Sequence, residues 1–272
     1  MNHEMRNSVL KTYRKELWSR FMRAITDYDL IQPNDRIAIC ISGGKDSMLM
    51  ALMFKVLQTF SEVPFEVKYV VMDPGYKKEH RQQIIDNAQK LDIPIEIHDS
   101  RIFEYVDTLP KSPCYLCARM RRGHLYAFAE KLGCNKIALG HHYDDAIETT
   151  LLNIFYGGQF GTMLPRLNST SNQGMELIRP LYLVREKSII KWATRYNLEF
   201  LNCACSFTEK KQTDSKRLEI KKLIETLSET NPFLEANIFR SVEHVNLGKV
   251  MSYYDDDIEE VSFLDQFKKD NT

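Results

Sequence analysis

Between Asp35 and Gly157 the chain alternates apolar runs of strand length with runs of helical length, and that alternation leaves few architectures open. "DRIAICISGG" reads as a buried strand and "KDSMLMALMFKVLQTF" as a helix starting at the glycines. "FEVKYVVMDPGY" is a second strand ending at Asp73-Pro74-Gly75, followed by the helix "KEHRQQIIDNAQKLD" and a third strand, "IPIEIHD". "YLCARMRRGHLYAFAEKLG", "CNKIALGHH" and "YDDAIETTLLNIFYG" then read as helix, strand and helix. Strands that alternate with helices imply α/β architecture, a parallel sheet flanked by helices on both faces. Ligands of such sheets sit at the carboxyl ends of strands.

The flanking segments are expected to be additions to this sheet. Ser8 to Tyr28 carries Leu10, Tyr13, Leu17, Phe21 and Ile25 at helical spacing with basic residues between them. "GGQFGTMLPRLNSTSNQGME" is turn-rich and reads as a mobile excursion, and "LIRPLYLVREKSIIKWATRYN" as a strand-like entry and one more helix. The expected division is an N-terminal basic helix over 1–30, the sheet domain over 31–205, and a helical C-terminal extension over 206–272 with the acidic run "YDDDIEE". A chain of 272 residues suffices for one such domain with additions.

Net charge is zero, yet six Lys or Arg face two Glu before Ala24, and Tyr254 to Glu260 holds five acids and no base. A basic end can meet phosphates even when the sum is neutral. No long uncharged apolar run and no signal-peptide core is visible, so a cytoplasmic protein without membrane partners is expected. In that setting the close pairs Cys114/Cys117 and Cys203/Cys205 suggest metal or redox work more than disulfides.

The segment Ser42-Gly-Gly-Lys-Asp-Ser47 lacks the G-x-x-x-x-G-K-[ST] spacing of a Walker loop. Gly43 and Gly44 still let backbone approach an anion, the following helix offers free N–H groups, and Ser42, Lys45 and Ser47 add donors. The physical reading is a phosphate cradle; the plain alternative is an ordinary strand-to-helix turn. "SGGKDS" resembles the pyrophosphate (PP) loop of the ATP-pyrophosphatase superfamily, whose members adenylate a substrate oxygen and release pyrophosphate. That resemblance implies the adenine nucleotide alpha-hydrolase-like fold and an ATP site containing Ser42, Gly43, Gly44, Lys45, Asp46 and Ser47, with Gly140 and His141 of "LGHHYDDAIETTLLN" beside it.

Asp144 and Asp145 follow that strand and can hold Mg²⁺ against the leaving pyrophosphate; as plain alternatives they cap a helix and match its dipole. Asp73 is placed either to meet ribose or adenine or to shape the turn before Pro74. The spacing of Cys114 and Cys117 suits metal or cluster ligands or a redox pair, and all four paired cysteines can serve one structural zinc. Cys40 and Cys134 read as buried core residues.

"PCYLCARMRRGHLYAFAEKLGCNKIALGHHYDDAIETTLLNIFYGG", continued by "LIRPLYLVREKSI" and the late cysteines, is similar to the tRNA 2-thiocytidine synthetase (TtcA) family over most of Ile37 to Cys205. The resemblance implies a [4Fe-4S] cluster on Cys114, Cys117 and one late cysteine, Cys203, which follows "EFLN" as the first late cysteine of relatives follows a strand-like segment, with Cys205 as the alternative. Relatives more often show C-x-x-C there, so this chain departs from the pattern. It further implies ATP, Mg²⁺ at Asp145, Lys45 as a catalytic group, and a tRNA substrate thiolated at C2 of an anticodon-loop cytidine. Arg119, Arg121 and Arg122 read either as a solvated helix face or, for Arg121 one turn beyond Cys117, as a catalytic group that reaches the adenylate or a tRNA phosphate. Oxygen is made a leaving group by adenylation, and sulfur from a cysteine desulfurase or sulfide replaces it. A homodimer is left open. The basic N-terminal helix and "EKKQTDSKRLEIKK" can grip RNA phosphates. The rivals are thiolation of another nucleoside, a lysidine-forming ligase that has no use for cysteine ligands, and a zinc-stapled RNA-binding module.

Overall fold

Along β1 (Arg36–Ile41), Ile37, Ile39 and Ile41 join one buried cluster while Ala38 and Cys40 join another. A strand buried on both faces belongs inside a sheet covered twice. The computed structural model, which describes residues 3–106, 113–169, 172, 174–201, 216–254 and 260–270, has that arrangement. β2 (Glu66–Asp73), β3 (Ile95–Asp99), β4 (Lys136–Ala138), β5 (Arg166–Asn168) and β6 (Glu176–Ile178) complete a sheet of order β3-β2-β1-β4-β6-β5. All neighbours are parallel except β5, which runs antiparallel to β6. The strand order reverses between β1 and β4, so a ligand crevice is expected at their carboxyl ends.

The N-terminal segment is helical, as α1 (His3–Asn7), wider π-helical turns from Ser8 to Trp18, and α2 (Ser19–Asp27). Then come α3 (Lys45–Leu57), α4 (Lys78–Lys90), α5 (Ile102–Val106), α6 (Pro113–Lys131), α7 (Tyr143–Leu152) and α8 (Glu186–Arg195). α9 (Lys216–Thr230), α10 (Leu234–Ser241), a two-residue β-ladder and α11 (Phe263–Asp270) follow. α3 carries an almost unbroken apolar run because Met48 to Phe54 are all buried, against the sheet, the N-terminal helix and α8. A helix covered on all sides has no polar face to show. Val9, Leu17 and Phe21 lie in that same cluster, so the N-terminal helix packs into the core of the sheet domain. α6 covers the opposite face through Tyr126 and Ala129. No described helix is long and apolar enough to cross a membrane.

Two expectations change. The excursion after Gly157 contains β5, too short and too irregular in pattern to be read as a strand, held by Arg166 to Glu176 of β6 at 2.9 Å. "EFLN" is not a strand in its described part, Glu199 to Leu201; instead the Leu201 N–H donates to the Gly43 carbonyl at 3.1 Å. Cys40 and Cys134 are buried free thiols, as expected of core residues.

Candidate active site

The turn after β1 needs a left-handed residue, and Gly43 supplies it at φ +84°. A Cβ there would stand 2.8 Å from Ile84 Cγ1 and 2.9 Å from Leu201 Cδ1, so only glycine fits. Gly44 is the N-cap of α3 with no side chain capping it, which leaves the first N–H groups of the helix facing the crevice. Ser42 and Ser47 staple the turn: the Ser42 N–H donates to Ser47 Oγ at 3.1 Å, Ser47 Oγ donates to the Gly44 carbonyl at 3.0 Å, and the two hydroxyls are 3.2 Å apart. Gly140, at the end of β4, lies so close that a Cβ would meet Ser47 N at 3.0 Å. The segment after β4 is thus packed closely against the first turn of α3 across the switch point.

Charged groups converge on this turn. Lys45 Nζ lies 3.2 Å from Asp46 Oδ2 and 2.9 Å from Glu186 Oε1. Burial pulls the ammonium pKa down, but Asp46 and Glu186 more than offset this and raise it overall. Burial likewise raises the Asp46 carboxyl, against His142 and Lys45. Asp46 Oδ1 is buried without a hydrogen-bond partner, His142 Nε2 being 3.8 Å away. His141 Nδ1 is a second buried orphan, and burial pushes that imidazole down to about 4, so it is neutral at physiological pH. Unsatisfied buried polar atoms cost free energy and mark places where a ligand completes the set.

The structure separates the four aspartates that the sequence put forward. Asp145 forms a capping box with His142, its Oδ2 accepting the His142 N–H at 3.0 Å, and its Oδ1 faces Arg217 at 3.2 Å. Asp144 gives both oxygens away: Oδ1 to Arg185 at 3.1 Å and Oδ2 to the Glu186 N–H at 2.7 Å. Asp73 takes the turn role, Oδ1 accepting the N–H groups of Gly75 and Tyr76 and Oδ2 pairing with Arg81 at 2.8 Å.

Arg121, on the third turn of α6, donates to Tyr76 Oη at 3.3 Å, and that hydroxyl donates to the Ser42 carbonyl at 3.4 Å. Arg121 therefore lies over the loop, and it lines two cavities that open on either side of it. One, of about 360 Å³, is walled by Val70, Met72, Leu125, Leu139 and His141 at the ends of β2 and β4. The other, of about 620 Å³, is walled by Lys45, Asp46, Glu186, Phe200 and Leu201.

Cys114 and Cys117 are one turn apart on the same α6 that carries Arg121, a spacing that shares one helix face. Cys203 and Cys205 lie outside the described residues, but Leu201, two positions before Cys203, is hydrogen-bonded to the loop glycine. Among the described residues no three His, Cys, Asp or Glu side chains converge as metal ligands.

Four participants were not singled out from sequence: Glu186, Arg185, Arg217 and Lys221. The first two follow the "LIRPLYLV" segment, so the rule that ligands gather at strand ends applied to them as well. The latter two arrive from α9, far along the chain, and only the fold brings them in. Lys221 Nζ is 2.6 Å from Glu186 Oε2, and the Arg217 Nε is 3.3 Å from Glu148 Oε2. Glu186 feels burial first, which raises its pKa, but Lys221 and Lys45 hold it down to about 2.

Comparisons with known proteins give the family of the chain. The PP-loop domain family matches residues 13–211. The tRNA-cytidine(32) 2-sulfurtransferase of Alkalilimnicola ehrlichii is 38% identical over 242 residues, 87% of this chain and 75% of that protein. Its counterpart in Alcanivorax borkumensis is 36% identical, over 87% of this chain and 83% of that one. Among solved structures, the U34-tRNA thiolase NcsA of Methanococcus maripaludis with its [4Fe-4S] cluster superimposes with TM-score 0.64 at 19% identity. It covers 84% of this chain and 79% of that one, a likeness of fold. With a PP-loop match over most of its length and relatives this similar, the chain belongs to the PP-loop domain family and to the tRNA-cytidine(32) 2-sulfurtransferases.

Proposed function

We propose that the chain is an ATP-dependent tRNA thiolase that replaces O2 of cytidine 32 by sulfur, as its relatives are named for doing. The observation that carries this reading is the buried, unpartnered Asp46 Oδ1 beside Lys45, on a glycine turn whose carbonyl is bonded by the backbone just ahead of the late cysteines. In this reading the adenylation loop is bordered by the backbone that leads toward the late cysteines.

Each residue has a role in this reading. ATP lies on Ser42 to Ser47, its α,β-phosphates against Gly43, Gly44 and the first turn of α3, and its adenosine in the apolar cavity of Val70, Met72 and Leu125 with His141. Lys45 holds phosphate charge. The orphaned Asp46 oxygen and Asp145 fit Mg²⁺, a hard cation that takes carboxylate and phosphate oxygens together; bound there, it would neutralise the leaving pyrophosphate. Asp144 stays with Arg185 and Asp73 with its turn, so neither is assigned to metal or nucleotide. The base oxygen attacks the α-phosphorus, the bond to the β-phosphate oxygen breaks, and pyrophosphate leaves. Sulfur then attacks C2, and AMP departs with the former base oxygen. Arg121 over the loop stabilises the adenylate's charge.

Cys114 and Cys117 on one face of α6, with Cys203 or Cys205, fit a three-thiolate [4Fe-4S] site. Such a cluster, when bound, would supply an iron able to carry sulfide. The exposed Lys11, Arg14, Lys15 and Arg23 of the N-terminal helix suit RNA phosphates. A cytoplasmic setting, a desulfurase or sulfide as donor, and a homodimer are compatible with this reading.

The test is anaerobic incubation of the iron-reconstituted protein with tRNA bearing C32, ATP, Mg²⁺ and sulfide. Mass spectrometry of the nucleosides should show 2-thiocytidine, with one AMP and one pyrophosphate per sulfur inserted. AMP formed with an amine in place of sulfur points to the ligase rival. A colourless, zinc-loaded protein that takes up no iron defeats the cluster assignment.

A further inference from the structure

α9 enters the site from outside the strand ends. Arg217 Nη1 is 3.2 Å from Asp145 Oδ1, its Nε 3.3 Å from Glu148 Oε2, and its Nη2 donates to Thr149 Oγ1 at 3.3 Å. One turn later Lys221 Nζ meets Glu186 Oε2 at 2.6 Å, while Lys45 holds the other oxygen of the same carboxylate. Residues four apart share a helix face, so α9 presents two cations side by side to the groups that surround the loop lysine. We propose that Arg217 and Lys221 are ligands of the β- and γ-phosphates, so that the C-terminal extension completes the polyphosphate site.

Three observations carry the assignment. Arg217 and Lys221 keep side-chain exposures of 46% and 41%, enough freedom to turn from a carboxylate to a phosphate in the crevice. Arg185 shows the contrast: at 15% exposure it is fixed between Asp144 and Glu235. The exchange also balances in charge. Mg²⁺ on Asp145 replaces the guanidinium there, and the freed Arg217 meets a phosphate, whose oxygens it can grip in pairs. Lys221 follows by handing Glu186 wholly to Lys45. Sequence placed this stretch on RNA; the structure pairs these two residues with carboxylates around the loop.

This inference rests on the reading that ATP occupies the Ser42 to Ser47 loop, and the experiment separates the two. The intact protein is titrated calorimetrically with MgATP and with magnesium pyrophosphate, as wild type and as Arg217→Ala, Arg217→Lys, Lys221→Ala and the remote control Lys249→Ala. Loss of a charged phosphate contact should weaken pyrophosphate binding about tenfold or more for each alanine variant. Arg217→Lys should recover part of that loss, and Lys249→Ala should match wild type. If Arg217 serves only as the structural partner of Asp145, removing it frees that carboxylate for Mg²⁺ and binding is unchanged or tighter; that result overturns the proposal. A wild type that binds neither ligand defeats the loop reading instead. Should Arg217→Ala melt early, Arg217→Gln removes the charge at similar length, and unchanged pyrophosphate affinity in a folded Gln variant overturns the proposal equally.

Discussion

The turns after β1 and β2 stand side by side at the same edge of the sheet, each carries an aspartate, and they are wired in opposite ways. Asp73 is 3% exposed and every oxygen has a partner: two backbone N–H groups and Arg81. Asp46 keeps one buried oxygen without any. A carboxylate satisfied by its own turn contributes stability; one left partly unsatisfied weakens the fold slightly and is free for a ligand. Neighbourhood to the site is therefore a poor guide to role, and the partner count is a better one.

The hardest blow to this contrast comes from Asp46→Asn, which should cut tRNA-dependent AMP release by about 100-fold or more while leaving the melting temperature unchanged or raised. Asp73→Asn, assayed in parallel, should keep most of the activity; equal losses in both would erase the distinction. Asp73→Ala should instead lower unfolding free energy by about 3 kcal/mol in urea titrations, since two N–H groups lose their acceptor and Arg81 is left with Asp99 alone.

Gly43→Ala comes next, at about 2 kcal/mol, because φ +84° and the contact with Ile84 both oppose a side chain. Gly44→Ala, whose nearest neighbour would be Ser42 Oγ at 3.6 Å, should be close to neutral in stability. A small, pH-dependent effect belongs to Glu186. Its pKa falls from 4.5 to about 2 on folding, so its ionised form favours the fold above about pH 4.5, and that contribution fades as pH drops toward 2. Glu186→Gln should be less stable than the parent at pH 7 by under about 1 kcal/mol, with the gap narrowing below about pH 4.5 and closing near pH 2. A gap constant with pH would assign the effect to packing.

What the sequence disclosed follows from how local each signal is. The alternation of strands and helices, the glycine turn and the cysteine spacing are each written in a few consecutive residues, and the sheet and loop are where those residues put them. β5 escaped notice because three residues carry no periodicity, and its partner strand decides its conformation. Asp144 and Asp145 are adjacent in the chain, so no sequence pattern could separate them; Arg185 takes one and Arg217 meets the other. Glu186, Arg217 and Lys221 enter through tertiary packing alone, which a single sequence does not spell out.

The hydrogen bond from Leu201 to Gly43 also bears on the order in which the protein is made. It joins the first strand-end turn to a segment synthesised only after the whole sheet. During translation the glycine turn can form early, but its outer wall arrives late, and α9 later still. A nascent chain halted before Leu201 would carry the entire "SGGKDS" motif and still lack the finished pocket, so competence to hold nucleotide should appear as a late, abrupt event in synthesis.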